Sequence, residues 1–512
     1  MKFKLLFAFL LFAICFAMPK YASAQSGSLD LSFDTDGKVT TPFPTGGDDV
    51  ANAIARQWLD GKIIAVGFTD NGANEDFAVV RYNLDGSVDT SFGNAGMVAT
   101  DIGGFNDYAN GVAIQTDGKI VAVGYGRASN NNDIVVVRYN LDGSLDTTFN
   151  SDGIATTPIG NSSDYGFAVA IQTDNKIVVA GSSAGFALVR YNTDGSLDST
   201  FNLTGKVKTA IGNSSEALSI ALQTDGKIVV AGYSSQSGAV DVALARYNTD
   251  GSLDLSFDGD GKVVTDISGF LDRAYSVDIQ NDGRIVVAGV SYDSLNSNFL
   301  GMRYLSNGTL DSSFGGDGIV TSDIASYNES ARSLKIQNDG KIFVAGLSYI
   351  GNTSFVVLLC YQSNGSFEPS FDTDGIVTTN IGSSCEGNAV ALQNDGKIIV
   401  AGYSLIGGNA DFALARYNNT LSSTFNFNSQ ATVETKIVPN PFSSLTAVYT
   451  NAILENASLS LYNSLGMQVA EINQISGSWI TLYRNNLPSG VYFMLLLQDN
   501  KLVKTEKIII SD

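Results

Sequence analysis

Histidine is absent from the 512-residue sequence, and proline (8), cysteine (3) and tryptophan (2) are scarce. Without histidine the chain has no Ser-His-Asp triad, no histidine general base and no zinc site that uses histidine. The run Gly181-Ser182-Ser183-Ala184-Gly185 fits the G-x-S-x-G pattern of a nucleophile elbow, but no histidine is present to activate its serine. We interpret this run as a strand end and loop, and we find no catalytic constellation in the sequence.

Basic residues are also few, because 30 Lys and Arg stand against 51 Asp and Glu, a net charge of −21. Such a surface repels phosphate backbones and anionic lipid, so we expect no nucleic-acid partner. The apolar run over residues 5–18 is shorter than the roughly 20 residues that a membrane span needs. Two lysines precede it and Ala22-Ser23-Ala24 follows it, which predicts a signal peptide over residues 1–24, cleaved after Ala24, and no membrane span.

What the sequence has in abundance is glycine (53 residues), much of it in repeated phrases. The phrases QxDGKIVVAG and DFALARYN each recur seven times. The phrase LDxSFxxDGxV places its phenylalanine at Phe33, Phe92, Phe149, Phe201, Phe257, Phe314 and Phe371, with a truncated copy at Phe425. A repeat of 50–60 residues indicates one supersecondary unit per copy.

Each unit contains four candidate strands: A (VAIQ), B (KIVVAG), C (DFALVRYN) and D (GKVTT). Strand B is a continuous β-branched run, which predicts burial on both faces, and Asp-Gly between A and B predicts a hairpin. The chain order is D, six ABCD sets, then ABC, so the first D strand completes the last sheet only if the ends meet. We therefore predict an all-β fold with a closed seven-bladed β-propeller of four-stranded blades over residues 25–428, in which Gly37–Thr41 pairs with Asp411–Asn418.

The LDxSFxxDGxV and QxDGKIVVAG phrases resemble the delta-60 repeat, a bacterial β-propeller-type repeat of undefined activity. The resemblance covers residues 27–427. It implies the fold and assigns no function.

The repeat stops before residues 429–512, where about seven short alternating strands predict a small Ig-like β-sandwich. Four segments of this region resemble the type IX secretion C-terminal sorting domain: Val438-Pro439-Asn440-Pro441-Phe442, residues 461–469, residues 487–494 with Gly490 and Tyr492, and residues 504–510. The resemblance implies a Bacteroidota-type source, the type IX machinery as a partner, passage to the outer cell surface or medium, and removal of the domain. An ordinary Ig-like binding module is the alternative.

Repeated acidic residues are the first candidate sites. Asp-x-Asp-Gly occurs at Asp34/Asp36, Asp258/Asp260 and Asp372/Asp374, but calcium loops use at least three oxygen-bearing side chains, so we expect turn chemistry. We predict no metal site and no cofactor. An acid eight residues before the strand-A glutamine recurs, which indicates a structural role: Asp49, Asp107, Asp164, Asp272 and Glu329. Basic residues of the A–B turns suggest either a collar for polyanions or solvated hairpin tips, of which we favour the second: Lys62, Lys119, Lys176, Lys227, Arg284, Lys341 and Lys397.

The loops that differ between repeats are the second candidate. Strand order places the B–C and D–A loops on one face, and aromatic side chains there suit a sugar or polymer ligand. Ordinary packing is the alternative role for these side chains. The candidates are Phe105, Tyr108, Tyr165, Phe270, Tyr292, Tyr327 and Tyr349, together with Arg127. Three functions remain open: a binding or structural surface protein with a glycan or protein ligand, a polysaccharide lyase or hydrolase without histidine, and a calcium-stabilised adhesin.

Two cysteines remain after the signal peptide. Cys360 replaces the arginine of the RYN phrase, and Cys385 takes the recurring acidic position of the next repeat. An oxidising compartment permits a disulfide, but the strand order places the two residues near opposite faces. We therefore predict two free thiols.

Overall fold

Every regular element that the structure describes is a β-strand. The computed structural model describes residues 25–57, 59–127, 131–267, 269–325, 327–419, 435–463, 468–485, 487–498 and 501–511. The chain divides into two units, Met1–Thr420 and Leu421–Asp512. The signal peptide with its cleavage after Ala24 and the domain boundary at residues 428/429 lie outside the described residues and stay predictions. No helix that could cross a membrane occurs in the described residues.

Seven four-stranded sheets form the first unit, and the first strand in the chain, β1 (Lys38–Thr41), belongs to the seventh sheet. Blade 1 contains β2 (Asp49–Arg56), β3 (Ile63–Asp70), β4 (Glu75–Tyr82) and β5 (Met97–Thr100). Blade 2 contains β6 (Tyr108–Ile114), β7 (Ile120–Gly126), β8 (Asp133–Tyr139) and β9 (Ile154–Thr157). Blade 3 contains β10 (Tyr165–Ile171), β11 (Ile177–Ser182), β12 (Phe186–Tyr191) and β13 (Lys206–Thr209). Blade 4 contains β14 (Ser214–Leu222), β15 (Ile228–Gln236), β16 (Ala239–Tyr247) and β17 (Lys262–Thr265).

The remaining blades follow the same order. Blade 5 contains β18 (Asp272–Ile279), β19 (Ile285–Tyr292), β20 (Ser297–Tyr304) and β21 (Ile319–Ser322). Blade 6 contains β22 (Glu329–Ile336), β23 (Ile342–Ile350), β24 (Thr353–Tyr361) and β25 (Ile376–Thr379). Blade 7 contains β26 (Cys385–Leu392), β27 (Ile398–Ile406), β28 (Asn409–Tyr417) and, as its fourth strand, β1. The seven-bladed propeller is therefore confirmed.

The ring closes as predicted, between the first and last strands of the propeller. Strand β1 pairs antiparallel with β28, with Val39 opposite Leu414. Each first strand also packs against the first strands of both neighbouring blades, so these seven strands surround a common axis. The tyrosine hydroxyl at the end of each strand C forms a hydrogen bond with a Thr or Ser hydroxyl of the preceding blade. At the closure this bond joins Tyr82 Oη to Thr41 Oγ1 at 3.0 Å.

The hydrophobic core of the propeller lies between blades. Strand β15 shows the principle, because its residues alternate between two interfaces. Ile228 and Val230 pack in the cluster shared with blade 3, whereas Val229 and Ala231 pack in the cluster shared with blade 5. Both faces of the strand are buried, which is why its sequence is a continuous apolar run.

A bulge in strand A explains the glycine that ends each KIVVAG phrase. In blade 2 the pairing of β6 with β7 shifts register between Ala109 and Gly111. A Cβ atom at Gly124 would collide with the carbonyl oxygen of Tyr108. Only glycine admits this close approach of the two backbones beside the bulge.

The second unit is one five-stranded sheet built around its own core. Its strands are β29 (Thr435–Val438), β30 (Leu445–Asn463), β31 (Gln468–Tyr483), β32 (Gly490–Gln498) and β33 (Lys501–Ile510). The sheet order is β29-β30-β32-β33, and β31 also pairs with β30. Register shifts interrupt the β30–β31 pairing, so two long strands bend over the core where the sequence suggested several short ones. The architecture is sandwich-like, as predicted, with five strands instead of about seven.

Candidate functional site

The face of the A–B and C–D turns carries buried ion pairs. In blade 4, Arg246 Nε lies 2.7 Å and Lys227 Nζ 3.1 Å from Oδ2 of Asp254. The Arg246 guanidinium also lies over the ring of Phe257 and donates to the carbonyl oxygen of Ser306 in the next blade. The equivalent acids pair with Lys62, Lys119, Lys176, Arg284, Lys341 and Lys397. These cations therefore form ion pairs with the carboxylates of the LDxSF phrases. The interpretation of the A–B turns as solvated hairpin tips missed these ion pairs.

The Asp-x-Asp-Gly motifs serve as turns, as predicted. The first aspartate has a positive φ, for example 51° at Asp258, and its N–H donates to Asn307 O of the next blade at 2.8 Å. The second aspartate accepts a backbone bond, as Asp260 Oδ1 does from Lys262 N at 2.9 Å. The N–H of the first aspartate therefore joins the turn to the neighbouring blade, and the carboxylate of the second aspartate stabilises the turn itself.

The acids that recur before strand A hold the D–A loops. Asp107 is fully buried, and its Oδ2 accepts the Ile102 N–H at 2.7 Å, as Asp49 accepts from Phe43. The corresponding loop N–H groups donate to the other three acids of this set: Asp164, Asp272 and Glu329. Burial raises the pKa of Asp107 to about 7, against the backbone bonds from Ile102 and Arg127 that lower it. The structural role predicted for these acids agrees with this geometry.

Cys360 and Cys385 are both buried free thiols, as predicted. The Cys385 sulfur accepts the Ile381 N–H at 3.3 Å, in the place of the buried acid of other blades, and contacts Ser354 O. Ser354 and Cys360 are six residues apart in β24, or roughly 20 Å along a strand. Burial raises the pKa of both thiols. A disulfide between them would need Cα atoms within about 7 Å.

The face of the B–C and D–A loops is named the variable face. Five aromatic rings from the first two strands of blades 1 to 3 meet on it. We name this group the aromatic cluster: Phe68, Tyr108, Tyr125, Tyr165 and Phe167. Ring centroids lie 5.1 Å apart for Phe68 and Tyr108, 5.2 Å for Tyr108 and Tyr125, and 4.8 Å for Tyr125 and Tyr165. Tyr165 stacks on Phe167 at 6.2 Å. All five side chains are half-buried, so the rings touch both one another and solvent.

Four charged residues and three tyrosines occupy the same repeat positions in blades 4 to 7. We name this group the charged arc: Glu216, Tyr233, Arg273, Tyr275, Arg332, Glu386 and Tyr403. Arg273 lies 4.5 Å from the Tyr233 ring centroid. Burial, followed by the charge of Glu216, raises the pKa of Tyr233 to about 12. Tyr349, a predicted ligand residue, donates to Glu386 Oε1 at 3.4 Å and thus borders the arc.

The other predicted ligand residues lie on the same face, in D–A loops or near the end of a strand. Phe105, Phe270 and Tyr327 hold one repeat position, two residues before the buried acid, in three different D–A loops. They are 44%, 49% and 45% exposed, and Tyr292 at the end of β19 is 40% exposed. Arg127 lies over the Phe105 ring at 5.0 Å. The structure thus brings Tyr108 and Tyr165 together. Phe105, Phe270 and Tyr327 lie in separate loops, and Tyr292 and Tyr349 lie near the ends of β19 and β23.

Sequence analysis missed Phe68, Tyr125 and Phe167. Phe68 and Tyr125 directly follow the glycine of the KIVVAG phrase, where the repeats vary between aromatic, aliphatic and serine side chains. That variation at an otherwise uniform phrase was the available signal. The contacts that these rings make with rings of neighbouring strands and blades are not visible in the sequence.

The predicted sorting residues hold the last strand of the second unit. Asn440 donates from Nδ2 to Lys507 O at 2.9 Å and accepts the Ile509 N–H at 2.8 Å. Its neighbours Pro439 and Pro441 flank these bonds, and Pro439 O accepts from Thr446. Gly490 pairs with Ile510, and Tyr492 is buried with its hydroxyl bonded to Pro488 O at 2.7 Å.

By fold, the protein is a seven-bladed β-propeller followed by a β-sandwich-like domain. The repeats match the family described as "Domain of unknown function (DUF5122) beta-propeller" at residues 59–92, 115–149, 172–201, 223–257, 280–314, 337–371 and 393–422. Residues 436–511 match the "Secretion system C-terminal sorting domain". The chain therefore carries seven DUF5122 propeller repeats, which confirms the delta-60 resemblance, and a type IX sorting domain.

Solved structures add similarity of fold only. PorZ, a surface component of the type IX secretion system of Porphyromonas gingivalis, is 11% identical with a TM-score of 0.34, over 90% of this chain and 68% of that one. Sqt1 of Chaetomium thermophilum bound to the N-terminus of ribosomal protein L10 is 11% identical with a TM-score of 0.41, over 74% of this chain and 99% of that one. A streptogramin B lyase is 10% identical with a TM-score of 0.40, over 74% of this chain and 97% of that one. No curated protein matches the chain.

The sorting domain indicates secretion to the outer cell surface through the type IX machinery.

Proposed function

We propose that this secreted propeller is a binding module that holds an extracellular glycan at the aromatic cluster. The supporting observation is the unbroken series of ring contacts from Phe68 to Phe167 across three blades, with every ring half-buried. Rings of this kind offer a rigid apolar surface at little cost in conformational entropy, and the apolar face of a sugar ring stacks on it.

The charged arc supplies the polar part of the proposed site. Glu216, Arg273, Arg332 and Glu386 stand at repeat positions equivalent to those of the cluster and are half-buried beside tyrosine rings. Glycan hydroxyls accept and donate hydrogen bonds, so both signs of charge suit them. A few placed polar groups beside an apolar platform is the usual composition of a ligand site.

The test is a glycan array on the purified protein, followed by titration of the best glycan against two Tyr165 variants. Tyr165→Phe keeps the ring and Tyr165→Ala removes it. Because a stacking contact contributes about 0.5–1.5 kcal/mol beyond its area, we expect Tyr165→Ala to weaken binding about 3- to 10-fold and Tyr165→Phe to bind nearly as the wild type. Leu255→Ala, at a 66% exposed residue on the opposite face, is the control for position.

Two results would contradict the proposal. One is equal binding by the wild type and Tyr165→Ala at a temperature where both are folded, which circular dichroism would check. The other is a loss of binding in Leu255→Ala that exceeds the loss in Tyr165→Ala. Breakdown of the bound polysaccharide by the purified protein would favour the alternative of a polysaccharide-acting enzyme.

A further inference from the structure

Three carboxylates converge where blade 4 meets blade 5 on the variable face. Asp241 lies in β16, Asp266 follows β17, and Asp272 begins β18. A parallel bridge between Val240 and Leu271 holds the segments of Asp241 and Asp272 side by side. One carboxylate oxygen from each aspartate lies within 4.8 Å of the other two.

Two of these carboxylates have an oxygen that lacks a partner. Asp272 is fully buried, and its Oδ2 accepts the Ile267 N–H at 3.1 Å. Its Oδ1 and the Oδ1 of Asp241 are shielded from solvent and have no hydrogen-bond partner among the described residues. Leaving charged oxygens buried and unpaired costs several kcal/mol.

We propose that Asp241, Asp266 and Asp272 bind a Ca²⁺ ion that joins blades 4 and 5. Calcium takes oxygen ligands at about 2.3–2.6 Å, so two ligands of one ion are at most about 5 Å apart, which the separation of these carboxylates meets. The ion pairs with the unsatisfied Oδ1 atoms. The side chain of Asp266 is exposed, so water completes the coordination from the solvent side. This site is separate from the Asp-x-Asp-Gly turns, and Asp272 directly precedes Arg273 of the charged arc.

The junction between blades 1 and 2 provides an internal comparison. Asp76, Asp101 and Asp107 occupy the same three repeat positions and are equally close. There, however, Asp76 accepts from the side-chain amides of Asn71 and Asn74 at 2.8 and 3.0 Å. Both oxygens of Asp107 accept backbone N–H groups. Because these donors already satisfy the buried oxygens, we infer calcium binding only at the junction of blades 4 and 5.

The test is calorimetric titration of the full secreted chain with CaCl₂ after treatment with EGTA. We expect one Ca²⁺ per chain, with a dissociation constant of about 10⁻⁴ to 10⁻³ M as in other extracellular modules, and a higher melting temperature with calcium. Asp266→Asn removes a ligand charge yet keeps the acceptor for the Gly269 N–H, a bond of 2.7 Å. It should weaken calcium binding at least about 10-fold. The matched variant Asp101→Asn should bind calcium as the wild type does.

Three results would overturn the proposal. The first is no binding of calcium by the wild type at millimolar concentration, which would point to a proton shared by the buried carboxylates. The second is equal loss of binding in Asp266→Asn and Asp101→Asn. The third is Mg²⁺ binding as tightly as Ca²⁺, because magnesium demands stricter octahedral geometry and gives up water reluctantly.

Discussion

At the scale of single residues, burial has opposite outcomes for acids of the same type. Burial alone would raise the pKa of Asp30, but hydrogen bonds from Lys397 and Ser32 and the charge of Arg416 outweigh it and lower the pKa to about 2. Asp107 is buried among backbone donors and other carboxylates, and burial raises its pKa to about 7. The presence of a cation beside the carboxylate decides the direction.

This contrast predicts opposite pH dependence for two substitutions. The folded state raises the pKa of Asp107, so the stability this group contributes is present below about pH 4 and is lost as the pH rises towards 7. The loss in free energy of unfolding caused by Asp107→Asn should therefore be smaller at pH 8 than at pH 5. The difference should be at least about 1.4 kcal/mol, the equivalent of one pKa unit. Thermal melting of both proteins at the two pH values measures it.

Asp30→Asn is the control, with the reverse sign. The lowered pKa of Asp30 means that its contribution is present above about pH 4 and is lost as the pH falls towards 2. Its penalty should shrink on acidification. A penalty for Asp107→Asn that is the same at pH 5 and pH 8 would contradict the assignment of a raised pKa.

At the scale of elements, the repeated phrases predict the strands well because each phrase combines a burial pattern with a turn signal. The KIVVAG run became a strand buried on both faces, and the closing role of Gly37–Thr41 followed from strand order alone. The contacts between blades could not be predicted in this way. The Phe68–Tyr108 contact joins rings of blades 1 and 2 whose residues are 40 positions apart in the sequence.

The turn before strand D offers a prediction at the same scale. Asp258 has a φ of 51°, and the equivalent residues Gly93 and Gly315 are glycines with positive φ. Asp258→Gly should therefore keep or slightly raise the melting temperature, whereas Asp258→Ala should destabilise by about 1 kcal/mol because a Cβ disfavours this region. Neither variant should alter calcium binding. A calcium response lost in Asp258→Gly would restore the calcium-loop interpretation of Asp-x-Asp-Gly.

At the scale of the whole molecule, the ends of the propeller form one blade. Residues near the N-terminus do more than supply β1, because Asp30 Oδ2 accepts from Arg416 Nε at 2.7 Å and Gly27 N donates to Asn418 O at 2.7 Å. Asp30 thus fills the place that Asp254 fills for Arg246 in blade 4. A signal peptide removed after Ala24 would leave Gln25 as the first residue, directly before this junction.

The last prediction tests the closure against an ordinary blade. Val39 in β1 and Val207 in β13 hold the same position, opposite Leu414 and Leu188, and are 5% and 6% exposed. If the two chain ends form a complete blade, Val39→Asp and Val207→Asp should destabilise by similar amounts, at least about 2 kcal/mol each, because each buries a charge in an apolar interface. Urea unfolding followed by fluorescence compares them. The conservative variants Val39→Ile and Val207→Ile should stay within about 1.5 kcal/mol of the wild type. A harmless Val39→Asp beside a damaging Val207→Asp would mean that β1 is dispensable and that the ring is held by the other six junctions.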